Sequence, residues 1–272
     1  MFWFSKPAII IFLALTVLGV GMLVFLGKET PAPIVEVKPD WTSGAIGTSV
    51  EARPIESYTY REGRSKHLVF VGGVHGGYEW NSVQLAEEVL AFLKANTIEV
   101  PENLSVTVIP NLNPDGIEKS AVGRFNGNDV DLNRNFDCKW QPESTWRGEK
   151  VSAGKAPFSE PETKALRDFV LKNKSTIQAV VFWHSQGNAV YASECEKGIL
   201  PATLDIMNLY SKASGYKPIK KFESYAITGD AEGWLASIGI PAITVELKTH
   251  EGLDLAQNLA GVKALLRHFG QE

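Results

Sequence analysis

This sequence has no extended run of lysine or arginine, and its formal net charge is -4 with a pI near 5.8. A nucleic-acid partner calls for a basic footprint, so this balance argues against one. It also has no internal repeat and no long low-complexity tract, which sets repeat architectures aside. Cysteine is scarce: Cys138 and Cys195 are the two in 272 residues. Neither lies near the N-terminus, so a lipoprotein anchor is excluded. Charge is missing altogether from residues 7–27.

That uncharged segment is mostly Ile, Leu, Val, Phe, Ala and Gly, and it is long enough to cross a bilayer core as one helix. Lys6 precedes it, and Phe2, Trp3 and Phe4 suit the membrane interface. The positive-inside rule then places residues 1–6 in the cytoplasm and everything after Lys28 outside, at the cell surface or in a periplasm. A cleaved signal peptide is the rival reading, although no clear Ala-x-Ala site follows. Residues 28–41, with Pro31, Pro33 and Pro39, read as an extended linker. Residues 42–272 form the remaining domain, large enough to bury a sizeable core. In an exported domain two cysteines suggest one disulfide, the alternative being two unrelated buried thiols.

Within the domain, Ser57–Tyr60 and Leu68–Val74 read as strands, the second ending in a glycine turn around His75. Asn81-x-x-Gln84 resembles a capping box that opens a helix with Val83, Ala86, Leu90 and Leu93 on one face. Leu104–Ile109 is a strand, and the Asn-, Asp- and Gly-rich stretch 111–137 is loop. Ser159-x-x-Glu162 is a second capping box. Next come the strand Ala179–Trp183, a helix near Thr203–Ser214 closed by Gly215, a helix over Ala231–Ile238 and the strand Ile243–Leu247. A final helix carries Leu255, Leu259, Val262, Leu266 and Phe269 on one stripe. Strands alternating with helices predict an α/β fold with a mixed, largely parallel central sheet flanked by helices. One N-terminal transmembrane helix would precede it.

His75, His184 and Glu246 each fall at or near a strand end, where ligands of open α/β sheets gather. His75-x-x-x-Glu79 alone is a weak signal. Together, Gly72-Gly73-Val74-His75, Asn113-Pro114-Asp115-Gly116, Asp131-Leu132-Asn133-Arg134-Asn135-Phe136, His184-Ser185 and Thr244-Val245-Glu246-Leu247 are specific. In this order they resemble the zinc carboxypeptidase family (the funnelin metallopeptidases) from about Thr42 onward.

The resemblance implies a zinc (Zn2+) peptidase fold and a role for each matching residue. His75, Glu79 and His184 would be the metal ligands and Glu246 the general base, with Arg124 stabilising the oxyanion. Asn133 and Arg134 would hold the substrate's terminal carboxylate. Tyr225 matches a mobile active-site tyrosine. Glu232 stands where side-chain preference is set, and a carboxylate there favours a basic C-terminal residue such as Lys, Arg or diaminopimelate. The implied partner is a peptide with a free C-terminal carboxylate, peptidoglycan stem peptides included. The family usually separates the first histidine and the glutamate by two residues, whereas three stand here, which requires a one-residue bulge at Gly77 or Tyr78. Two other readings stay open: an aspartoacylase-like zinc deacylase, and a catalytically inactive peptide-binding relative.

Overall fold

The fold is that of a computed structural model, which describes residue 1 and residues 40–118 and 123–271. The predicted membrane segment 7–27 and nearly all of the linker 28–41 lie outside the described residues. Among the described residues no helix is long and apolar enough to cross a membrane.

Among the described residues ten strands and six helices follow one another: β1 (Trp41–Thr48), β2 (Pro54–Tyr60), β3 (Lys66–Val71), α1 (Asn81–Ala95), β4 (Leu104–Ile109), α2 (Pro114–Glu118), β5 (Glu143–Trp146), β6 (Glu149–Ser152), α3 (Pro161–Asn173), β7 (Ile177–Ser185), β8 (Ala189–Ala192), α4 (Pro201–Ser214), β9 (Lys217–Ile219), α5 (Ala231–Ser237), β10 (Ala242–Leu247) and α6 (Leu255–Gln271). Eight strands make one mixed sheet in the order β1-β2-β4-β3-β7-β10-β8-β9, and β5 and β6 form a separate hairpin. The central neighbours β4, β3, β7 and β10 are parallel. The antiparallel pairs are β1 with β2, β2 with β4 and β8 with β10.

Side chains alternate across a strand, so each central strand feeds two cores. Leu68 and Phe70 of β3, Ala179, Val181 and Trp183 of β7, and Ile243, Val245 and Leu247 of β10 pack with α1, α4 and α6. Val69 and Val71, Val180 and Phe182, and Ala242 pack on the other face with α3 and α5. Continuing the second set outward along β7 and β10 leads to His184 and Glu246. The parallel register pairs Ala242 with Val180, Thr244 with Phe182 and Glu246 with His184. Alternation and register alone therefore bring an imidazole and a carboxylate side by side where the apolar face ends.

Both predicted capping boxes are corrected. Asn81 does begin α1, but its amide donates to Thr249 O and Gly252 O at 2.9 Å each. It therefore ties the helix to the loop after β10 instead of capping it. α3 starts at Pro161, whose fixed φ suits a first helical position. Glu162 turns away to accept from Val50 N at 3.1 Å and Asn126 Nδ2 at 3.0 Å. The stretch read as pure loop also contains α2 and a short 3-10 turn over Leu132–Arg134. The helix over Pro201–Ser214 ends as expected on Gly215, with φ +79°.

Candidate active site

β3 ends at Val71, and the glycine-rich turn beyond it carries His75 and Glu79. The residue in excess between them is absorbed by a 3-10 turn over Gly77–Glu79, with Gly77 at φ +63°. That conformation favours glycine. Gly76 cannot carry a side chain for a different reason: a Cβ there would meet the Gly116 carbonyl at 2.3 Å and Gly123 O at 2.4 Å. The turn thus returns Glu79 to the side of His75.

His75 Nδ1, His184 Nδ1 and Glu79 Oε2 are mutually 3.2 Å apart. Ligand atoms roughly 2.0–2.1 Å from one tetrahedral zinc stand roughly 3.3 Å from each other, so this triangle fits a shared ion. All three residues are buried, and among the described residues they are the group able to hold a metal. Asp131 Oδ1 accepts from His75 Nε2 at 3.0 Å. With the proton on Nε2, the Nδ1 lone pair faces the cluster, the usual carboxylate–histidine arrangement behind a metal.

Arg124 sits behind the same triangle. Its Nε donates to Asp131 Oδ2 and its Nη1 to Glu79 Oε1, both at 2.8 Å, and among the described residues Nη2 is uncommitted. Burial works to raise the Glu79 and Asp131 carboxyls, but the cations around them prevail. His75, His184 and Arg124 hold Glu79 well below the usual carboxylate range. Arg124, His75 and Arg134 do the same for Asp131. These carboxylates therefore stay charged for a cation.

Glu246 differs. Its Oε2 is buried with no hydrogen-bond partner among the described residues, and burial pushes its carboxyl up to about 7. A divalent cation in the triangle would pull that value back down. On the far side of His184, Glu232 Oε1 lies 3.7 Å from Nε2 and accepts from Thr244 Oγ1 at 2.8 Å. Asp230 caps α5 through Gly233 N at 2.8 Å, and burial, with Glu232 nearby, raises its carboxyl to about 6.

Asn133 Oδ1 accepts from Ala231 N at 2.8 Å, which fixes the amide so that its nitrogen can donate to a ligand. Arg134 is held by Asn133 O at 2.6 Å and Thr145 O at 3.3 Å, while its Nε is buried without a partner among the described residues. Tyr225 packs edge-on against Phe222. All nine residues singled out in the sequence (His75, Glu79, Arg124, Asn133, Arg134, His184, Tyr225, Glu232 and Glu246) line one cavity of about 930 Å³.

Residues with no role assigned from sequence also belong to the site. Asp131 was visible as the first residue of its motif, but its partner His75 lies 56 positions away. Ser185 Oγ links Asn81 Oδ1 at 3.0 Å to His250 Nδ1 at 2.8 Å, and the His250 ring leans on Tyr78 at 4.7 Å. Trp146, on the hairpin, stacks 6.3 Å from Tyr78. Cys138 and Cys195 are bridged, which joins the loop after Phe136 to the segment after β8.

Comparison with known proteins follows the same lines. The model of the family described as zinc carboxypeptidase matches residues 34–255. Gamma-D-glutamyl-L-diamino acid endopeptidase 1 of Lysinibacillus sphaericus is 27% identical over 258 residues, covering 80% of this chain and 62% of that one. Carboxypeptidase O of Homo sapiens is 26% identical over 242 residues, 76% of this chain and 64% of the other. The chain thus spans less than two thirds of the length of these curated relatives. Bovine thrombin-activatable fibrinolysis inhibitor, solved with tick carboxypeptidase inhibitor, has a TM-score of 0.71 at 21% identity, over 84% of this chain and 90% of that chain. Murein-tripeptide amidase MpaA from Escherichia coli O157 has a TM-score of 0.60 at 22% identity, over 85% and 92%. At such identities the structural likeness establishes the fold.

Proposed function

This chain belongs to the zinc carboxypeptidase family, and from that premise we propose that it hydrolyses the C-terminal peptide bond of peptides. The observation that carries the proposal is the Glu246 carboxylate, unpaired among the described residues, beside a triangle of His75, Glu79 and His184 in a cavity that also holds Arg134. His75, Glu79 and His184 would hold the zinc, which when bound supplies a Lewis acid for the scissile carbonyl and lowers the pKa of water. Glu246 takes the proton of the attacking water and passes it to the leaving amine. Arg124 Nη2 faces the charge that develops on the carbonyl oxygen. Arg134, with its unpaired Nε, and the Asn133 amide nitrogen hold the terminal carboxylate, a planar fork suited to that task. Tyr225 covers the bound residue.

Glu232 and Asp230 give the cavity an acidic side, which supports a basic C-terminal residue. The Lysinibacillus sphaericus relative is named for a γ-D-glutamyl–diamino acid bond. That name supports peptidoglycan stem peptides ending in a diamino acid as the substrate here. The deacylase reading has no observation in its favour. The inactive-relative reading rested on the extra residue after His75, which the Gly77 turn absorbs.

The test is a paired hydrolysis assay with zinc, using peptides that end in lysine or diaminopimelate, each with a free or an amidated C-terminus. Release of the last residue from the free acid alone is the expected result. Equal cleavage of both forms, or cleavage of N-acyl amino acids only, would overturn the proposal. We also propose that residues 7–27 tether the domain outside the cytoplasm; the uncharged apolar segment and the Cys138–Cys195 bridge support this. Membrane fractionation of the full chain against one lacking residues 1–27 tests it, and recovery of both in the same soluble fraction contradicts it.

A further inference from the structure

The hairpin of β5 and β6 carries Trp146 and Arg147 to the mouth of the cavity, and both line it. Its two-residue turn has φ +49° at Arg147 and +89° at Gly148. Paired positive φ values suit Asn-Gly or Gly-Gly in such turns, so a long cation at the first position works against local preference. Strained backbone positions cluster at active sites and ligand clamps.

The hairpin is fastened to the site. Ser144 Oγ meets Thr228 Oγ1 at 2.9 Å, Thr145 O accepts from Arg134, and Ser152 O accepts from Asp131 N at 2.9 Å. Arg147 stacks on the Trp146 ring at 5.3 Å, and Arg124 lies 4.8 Å from the same ring. The two arginines differ in what they meet. Arg124 is buried between Asp131 and Glu79, whereas Arg147 is exposed and its guanidinium has no carboxylate partner among the described residues.

We infer that Arg147, aimed by its turn and braced on Trp146, selects substrates that carry a free carboxylate on the acyl side of the scissile bond. The inference rests on the carboxypeptidase reading, which puts the C-terminal residue deep against Arg134 and directs the acyl portion past Arg124 toward the mouth. A γ-linked glutamyl residue is one such group, because the linkage through its side chain leaves the α-carboxylate free. The ammonium of Lys221, also at the cavity wall, has no stacked ring among the described residues to fix it and serves as a control for general charge attraction.

The experiment compares two peptides that differ only in whether the acyl-side residue bears a carboxylate or its amide. In Arg147→Ala the carboxylate-to-amide ratio of kcat/KM is expected to fall about tenfold, mainly through KM, as loss of a charge-assisted hydrogen bond implies. Arg147→Lys should recover part of the ratio, and added salt should shrink it in the unmodified protein. An unchanged ratio in Arg147→Ala, or an equal fall in Lys221→Ala, overturns the inference. Calorimetric binding of the same two peptides to zinc-loaded Glu246→Gln protein, with and without Arg147→Ala, gives the ratio without turnover. If neither peptide is cleaved, the peptidase reading fails while the binding ratio still decides the role of Arg147.

Discussion

Asp131→Asn probes the support behind the metal ligands. The carboxylate accepts from His75 Nε2 at 3.0 Å through one oxygen and from Arg124 Nε at 2.8 Å through the other. Asparagine keeps the shape but offers one acceptor and one donor. If its oxygen stays with Arg124, its NH2 faces His75 Nε2, and two donors meet. The ring must then carry its proton on Nδ1, the nitrogen turned toward Glu79 and His184, or rotate away. Either change removes a ligand lone pair from the triangle. Loss of such a supporting carboxylate weakens metal binding by about 10- to 100-fold, or about 1.4 to 2.7 kcal/mol. Chelator competition on the zinc-loaded protein measures this directly. Affinity within twofold of the unmodified protein would refute the reasoning, because His75 would then need no partner.

Two further outcomes follow from groups away from the metal. Burial depresses the His67 pKa from 6.5 to about 4, and its Nε2 lies 2.7 Å from Thr107 Oγ1, with Glu62, Asp168 and Lys172 around the adjoining groove. Because the folded-state value is the lower one, the neutral ring's contribution is complete above pH 6.5. It is lost as pH falls toward 4, to a total of about 3 kcal/mol. Denaturant unfolding of His67→Gln against the unmodified protein should show a shallower stability slope in that window; an identical slope contradicts it. The Cys138–Cys195 bridge spans 57 positions, for which chain entropy predicts about 4 kcal/mol. Thermal unfolding of the double alanine variant should show a clear drop in Tm, and an unchanged Tm would mean the loop is held by packing alone.

The sequence exposed the residues that sit at strand ends and hid those whose role depends on distant partners. His75, His184 and Glu246 stood out because apolar strands precede or contain them, and parallel register does the rest. Asp131 belongs to a recognisable motif, yet its grip on His75 and Arg124 is a tertiary contact with no local pattern. The β5–β6 hairpin is too short for alternation to emerge from Ser144-Thr145-Trp146, so Trp146 and Arg147 went unassigned. The capping-box readings failed because Asn81 and Glu162 have better partners across the fold than within their own helices. β8 and β9, only four and three residues long, are likewise defined by their neighbours.

The central claim is that Glu246 moves the proton while His75, Glu79 and His184 hold the metal. Glu246→Gln, assayed on a lysine-terminated peptide with zinc content determined on the same sample, tests both parts in one measurement. The account predicts one zinc per chain, as in the unmodified protein, and kcat lower by about 10²- to 10⁴-fold. Turnover within tenfold of the unmodified protein with zinc in place would contradict it.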